Sequence, residues 1–100
     1  MKRTKSMIYN ETVESHELYL YTINDGYLYD HATLYIINSL RKKAKRGVYD
    51  SNKAVDAFYR LATMASDKYY KDFGYKFDVQ VRFTVAVDLE SYYKEDILEN

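Results

Sequence analysis

Two helical stripes of apolar residues, glycines just beyond their ends and the absence of proline predict a small all-α bundle for this 100-residue chain. The expected architecture is a long antiparallel helix pair, about 26–46 and 51–73, with a short N-terminal helix and a C-terminal helix packed across them. Gly26, Gly47 and Gly74 are the only glycines, and a glycine placed after a periodic segment is a usual helix stop. One hundred residues fit a single domain, 1–100, whose core removes roughly 60–70% of the unfolded surface from water.

At the N-terminus Lys2, Arg3 and Lys5 make residues 1–7 an expected flexible basic arm. Further along, residues 17–31 read ELYLYTINDGYLYDH. Ser15 suits the N-cap of a short helix with Glu17 in its first turn, and Asn24 or Asp25 can cap the next helix. The same string also has the form of a hairpin, with Asp25-Gly26 supplying a tight turn.

Leu28, Ala32, Tyr35, Ile36, Leu40 and Ala44 recur at helical spacing and predict the helix ending at Gly47. Arg41, Lys42, Lys43, Lys45 and Arg46 fill its last turns, where cations favour the negative end of the helix dipole. The connection to the next helix is short, so the two should run antiparallel. That next helix is the plainest element of the chain. Asp50 or Ser51 can cap it, and Ala54, Val55, Phe58, Leu61, Ala62, Ala65 and Tyr69 trace one face. Asp56–Arg60, Asp67–Lys71 and Lys68–Asp72 are opposite charges at i,i+4, each worth a few tenths of a kcal/mol.

The last segment supports two readings. Phe77, Val79, Val81, Phe83, Val85, Val87 and Leu89 alternate with polar residues, as in a half-buried strand. A helix capped by Asp78 fits too, with Val79, Phe83, Ala86, Val87, Tyr93 and Ile97 on one face. That face has Glu90 in its middle and leaves Val81 and Val85 behind it. The residues alone leave open an α+β fold with a hairpin at 17–30 and a strand at 77–89.

Composition narrows the function. Fifteen cations balance fifteen anions, which argues against a DNA mimic and against a strongly basic nucleic-acid binder. Without cysteine there is no thiolate chemistry. No apolar run is long enough for a signal peptide or a membrane span, so a soluble, cytoplasmic protein is expected. His16 and His31 lack metal-ligand spacing, and Asp30-His31 has no accompanying nucleophile. Three isolated glycines cannot build a phosphate loop. The expectation is a non-enzyme with no catalytic residue, no metal and no cofactor.

Asn24-Asp25 with Leu28-Tyr29, then Ser39-Leu40, Lys43-Ala44-Lys45, Gly47 and Asp50, form a pattern that continues downstream. It extends through Lys53-Ala54-Val55, Phe58-Tyr59, Leu61-Ala62, Tyr69 and Phe73 to Arg82, Ala86, Tyr93 and Ile97. The chain here resembles short uncharacterised proteins encoded by tailed bacteriophages. Such proteins lack the glycine after Asn-Asp and the strict alternation in the last segment, so the resemblance implies helix at both ambiguous places. It implies no activity. It does imply a cytoplasmic setting in a host cell.

The tyrosines carry the functional expectation. Thirteen Tyr stand against four Phe and no Trp, more phenols than so small a core can hide with their hydroxyls paired. Genome composition alone can also raise Tyr over Phe. Tyr19, Tyr21, Tyr27 and Tyr29 are the expected contact surface of a protein-interaction module, since tyrosine is enriched at interfaces. The partner would be a host or phage protein, for example a host defence component that it inhibits, and a homodimer is a second outlet for surplus tyrosine. The alternative is a nucleic-acid-binding accessory protein in which Arg41, Lys42, Lys43, Lys45 and Arg46 contact phosphates near Tyr35 and Tyr49.

Overall fold

The computed structural model describes the backbone of residues 5–99 and the side chains of residues 13–99. The described residues form four helices: α1, Lys5–Asn24; α2, residues 26–45; α3, Ser51–Phe73; and α4, Val79–Glu99. Helix α2 is composite, with an α-helical turn Gly26–Leu28, a π-helical stretch Tyr29–Thr33 and an α-helix Leu34–Lys45. No strand occurs among the described residues. The fold is all-α.

Local chemistry sets the boundaries. The Asp25 carboxylate accepts the Leu28 N–H at 2.9 Å, which turns Asn24-Asp25-Gly26 into a helix start. Gly26 then sits in a helical turn without the positive φ that a tight hairpin would need. Asp50 accepts the N–H groups of Asn52 and Lys53 at 2.8 and 3.2 Å, and Asp78 accepts that of Val81 at 2.9 Å. Gly47 and Gly74 both have φ of 73°, the left-handed conformation in which a side chain is disfavoured.

Three expectations need correction. Helix α1 starts at Lys5, well ahead of Ser15, because no breaker separates Lys5 from Asn24; Ser15 is a buried mid-helix residue. Of the expected basic arm, residues 1–4 lie outside the described residues, while the backbone from Lys5 is helical. In α2 the π-helical stretch adds one residue to the turn, so the buried positions run Leu28, Ala32, Ile37, Leu40 and Tyr35 is turned out to solvent. In α4 the inward face differs from the expected one. Val81 and Val85 are in the core with Ala86, Leu89, Tyr93 and Ile97, whereas Val79, Phe83 and Val87 face outward.

The closest packing is between α3 and α4, which the five-residue link 74–78 makes antiparallel. Ala54, Ala62 and Ala65 on α3 are fully buried, and their small side chains let α4 approach. Phe58 of α3 stacks on Tyr93 of α4 with ring centres 5.8 Å apart. Helix α1 lies along both, placing Leu18 in the core. Helix α2 packs mainly on α4 and meets α3 only sparsely. An open furrow therefore separates α2 from α3 along the expected antiparallel pair. The Cα envelope measures 43 × 32 × 16 Å. In a slab this thin, each helix keeps an outward face.

Candidate functional site

Glu14, Glu17 and Tyr21 project from one side of α1 toward the C-terminal end of α3 and the link to α4. The Tyr69 hydroxyl donates to Glu17 Oε1 at 2.8 Å, and the Tyr75 hydroxyl donates to Glu14. Tyr21 donates to Asp72 Oδ2 at 3.1 Å and accepts from the Lys68 ammonium at 3.2 Å. Lys68 also reaches Asp25 Oδ2 at 2.7 Å and Asp72 at 3.6 Å. Of the three expected i,i+4 pairs on α3, Lys68–Asp72 is the one within ion-pair distance among the described residues.

These contacts shift the titrations. Hydrogen bonding to Asp25, then to Tyr21, holds the Lys68 ammonium above its ordinary range. For Asp25, burial pushes the carboxyl up, yet the Lys68 hydrogen bond and the Leu28 N–H outweigh it and the net shift is downward. The bond to Glu14 raises the Tyr75 phenol to about 12, and the bond to Glu17 raises Tyr69. Burial is the main cause of the rise at Tyr21. All three phenols are neutral donors at pH 7.

Above this network the rings form a continuous aromatic sheet. Tyr21 meets Tyr69 edge-on at 5.1 Å, Tyr69 meets Phe73 at 4.7 Å and Phe77 at 4.9 Å, and Tyr75 meets Phe77 at 5.0 Å. Between this sheet and α1 runs a groove of about 870 Å³, lined by Val13, His16, Glu17, Leu20, Tyr21, Asn24, Asp25, Tyr69 and Phe73. Val13, Leu20 and Phe73 are substantially exposed, Phe73 by 65%. The groove has an apolar floor and a rim bearing Glu17 and Asp25.

The four expected contact tyrosines are not brought together. Tyr21 lines the groove. Tyr19 faces another side of α1, half-buried and edge-on to Tyr92 at 5.9 Å. Tyr27 and Tyr29 are exposed at the start of α2, and Tyr27 stacks on the His31 ring at 4.1 Å. The His31 ring nitrogen bonds the Tyr27 carbonyl at 2.9 Å, so this pair is tied within its own turn.

The basic cluster is split between two sides of α2. Arg41, Lys42 and Lys45 line a shallow hollow with Asn38, and Arg41 donates to the Asp96 carbonyl at 3.4 Å. Lys43 instead faces the furrow toward α3. Arg46 is exposed at the end of the helix. Tyr49 turns inward and donates to Glu90 at 2.6 Å, which removes it from any surface the cations could share.

Among the described residues no group of three or more His, Cys, Asp or Glu could hold a metal ion, and no helix is long and apolar enough to cross a membrane. No family model, curated protein or solved structure matches the chain. Any functional reading therefore stands on the surface itself. Sequence reasoning missed Val13, Leu20, Tyr69 and Phe73 as groove residues. Leu20 and Tyr21 are adjacent on α1, and no short motif marks the α3 residues that meet them.

Proposed function

We propose that this protein is a small non-enzymatic interaction module whose contact surface is the groove between α1 and the C-terminal end of α3. The observation that supports it is the pairing of phenol hydroxyls already committed to internal carboxylates with exposed apolar side chains at Val13, Leu20 and Phe73. Rigid aromatic and aliphatic anchors that need no reorganisation are what interface hot spots use. Glu17 at the rim, exposed and, among the described residues, bonded only to the neutral Tyr69 phenol, favours an amphipathic helix that presents an apolar stripe flanked by Lys or Arg. On the resemblance to proteins of tailed bacteriophages, the proposed partner is a host or phage protein, for example a host defence component that the module would inhibit. The setting would be the host cytoplasm.

Affinity capture from bacterial lysate, run in parallel on the native protein and the Leu20→Asp/Phe73→Asp variant, tests this. A protein retained by the native chain and lost with the variant, while circular dichroism shows both folded, is the expected result. Identical retained sets would remove the groove from consideration. Sedimentation equilibrium on the same pair separates a second copy from a foreign partner, since a homodimer through this groove would become monomeric in the variant.

A further inference from the structure

We propose that the furrow between α2 and α3 is a binding track for single-stranded nucleic acid, with Tyr35 as its stacking platform. The site shares no residue with the α1–α3 groove and does not depend on the reading given for it. One wall is Tyr35, Ser39 and Lys43, at i, i+4 and i+8 on α2; the other carries Lys53, Asp56 and Arg60 from α3. Together they enclose an open trough of about 410 Å³.

Three observations point to a polyanion with aromatic bases. The first is charge. Among the described residues Lys43, Lys53 and Arg60 are in no ion pair, although Asp56 lies one turn before Arg60. Lys68, by contrast, has two carboxylates within 4 Å. Three cations against the single carboxylate of Asp56 leave the trough net positive, and a phosphate chain between them relieves the remaining repulsion.

The second is the aromatic. Tyr35 is 70% exposed and its ring meets no other ring among the described residues. The extra residue in the π-helical stretch is what turns it out of the core. An exposed ring beside cations offers a base a stacking face, as in sequence-tolerant single-strand binding.

The third is continuity. Lys42 and Lys45 on the neighbouring side of α2 and Arg46 at its end are also without ion pairs among the described residues, so a strand leaving the furrow meets further cations. From Tyr35 to Lys43 the track runs about 12 Å along the helix axis. A duplex, whose bases are stacked on one another, offers Tyr35 no free base face; an unpaired strand does.

Fluorescence anisotropy with a labelled dT12 oligonucleotide, the same sequence in duplex form, and polyglutamate tests the assignment. The native protein is expected to bind dT12 at 50 mM salt more tightly than the duplex. If about three phosphates are neutralised, affinity should fall roughly twenty-fold between 50 and 200 mM salt. Lys53→Glu/Arg60→Glu should abolish binding. Tyr35→Ala should weaken it roughly ten-fold, while Tyr35→Phe retains it. Leu20→Asp/Phe73→Asp should leave it unchanged, which separates this site from the groove. Absence of binding at 50 mM salt overturns the proposal. So does indifference to Tyr35→Ala, or polyglutamate competing as well as dT12, which would mark an acidic-protein surface instead.

Discussion

The Lys68 ammonium lies 2.7 Å from the Asp25 carboxylate, so the residue that starts α2 is anchored to the far end of α3. Asp25 serves two partners: one oxygen caps the turn through the Leu28 N–H and the other receives Lys68. Asp25→Ala should cost about 1–2 kcal/mol in urea unfolding, and Asp25→Asn, which keeps the cap and loses the charge, clearly less. The carboxyl is held below its ordinary value of 3.8 when folded. Its contribution is therefore complete above that value and lost as pH falls through the folded value. The Asn variant should lose less stability on acidification than the native chain. Equal losses in the Ala and Asn variants would show that the cap carries nothing.

A second link joins the loop before α3 to α4. Glu90 is only 7% exposed, accepts the Tyr49 hydroxyl at 2.6 Å and has Lys94 4.0 Å away. Tyr49→Phe would leave a buried carboxylate oxygen short of its donor, at about 1–3 kcal/mol. Glu90→Gln retains an acceptor for the phenol and should cost under about 1 kcal/mol. Chemical denaturation of the two variants checks the ordering; a neutral Tyr49→Phe would mean that water replaces the phenol.

How much of this was legible in the chain depends on whether one helix face or the choice among faces was at stake. Asp25, Asp50, Asp78 and Gly74 announced their caps and stops, and the buried face of α3 read correctly from Ala54 to Tyr69, because those signals are local. The segment 77–89 misled because apolar residues at every second position form two stripes on opposite sides of a helix. Phe77, Val81, Val85 and Leu89 are buried, while Val79, Phe83 and Val87 are not. Tyr35 misled because no residue pattern flagged the extra residue of the π-helical stretch. The groove and the furrow are both products of helix pairs meeting across long sequence separations, and no spacing rule places Phe73 beside Leu20 or Arg60 beside Tyr35.

Alkali should unfold this protein through its tyrosines. Tyr19, Tyr21, Tyr49, Tyr69, Tyr75 and Tyr93 all have phenols raised above 10.0, with Tyr75 and Tyr93 at about 12. Burial leads for Tyr19, Tyr21, Tyr49 and Tyr93, and the bonds to Glu17 and Glu14 for Tyr69 and Tyr75. A folded pKa above the unfolded one gives stability that is whole below pH 10 and vanishes as pH rises through the folded values. Phenolate absorbance and far-UV circular dichroism, followed together, should show these six phenols resisting ionisation while the helices persist. Helix should then be lost as they ionise. Ionisation of these six near pH 10 with helix intact would contradict the burial and the hydrogen bonds that raise them.

The register of α4 has its own test in two residues six apart. Leu89 is fully buried and Phe83 is 49% exposed. A strand across 77–89 would set both on one face, whereas the helix turns Leu89 inward and Phe83 outward. Leu89→Ala should cost about 2–5 kcal/mol through the cavity it leaves, a large share of the roughly 5–15 kcal/mol that holds a domain of this size. Phe83→Ala should stay within about 0.5 kcal/mol, as for a surface position without special contacts. Removing the larger side chain is thus expected to do less harm than removing the smaller one. Phe83→Ala proving as damaging as Leu89→Ala would mean that the outer face of α4 is covered by a second chain in solution, and a concentration-dependent melting temperature would accompany it.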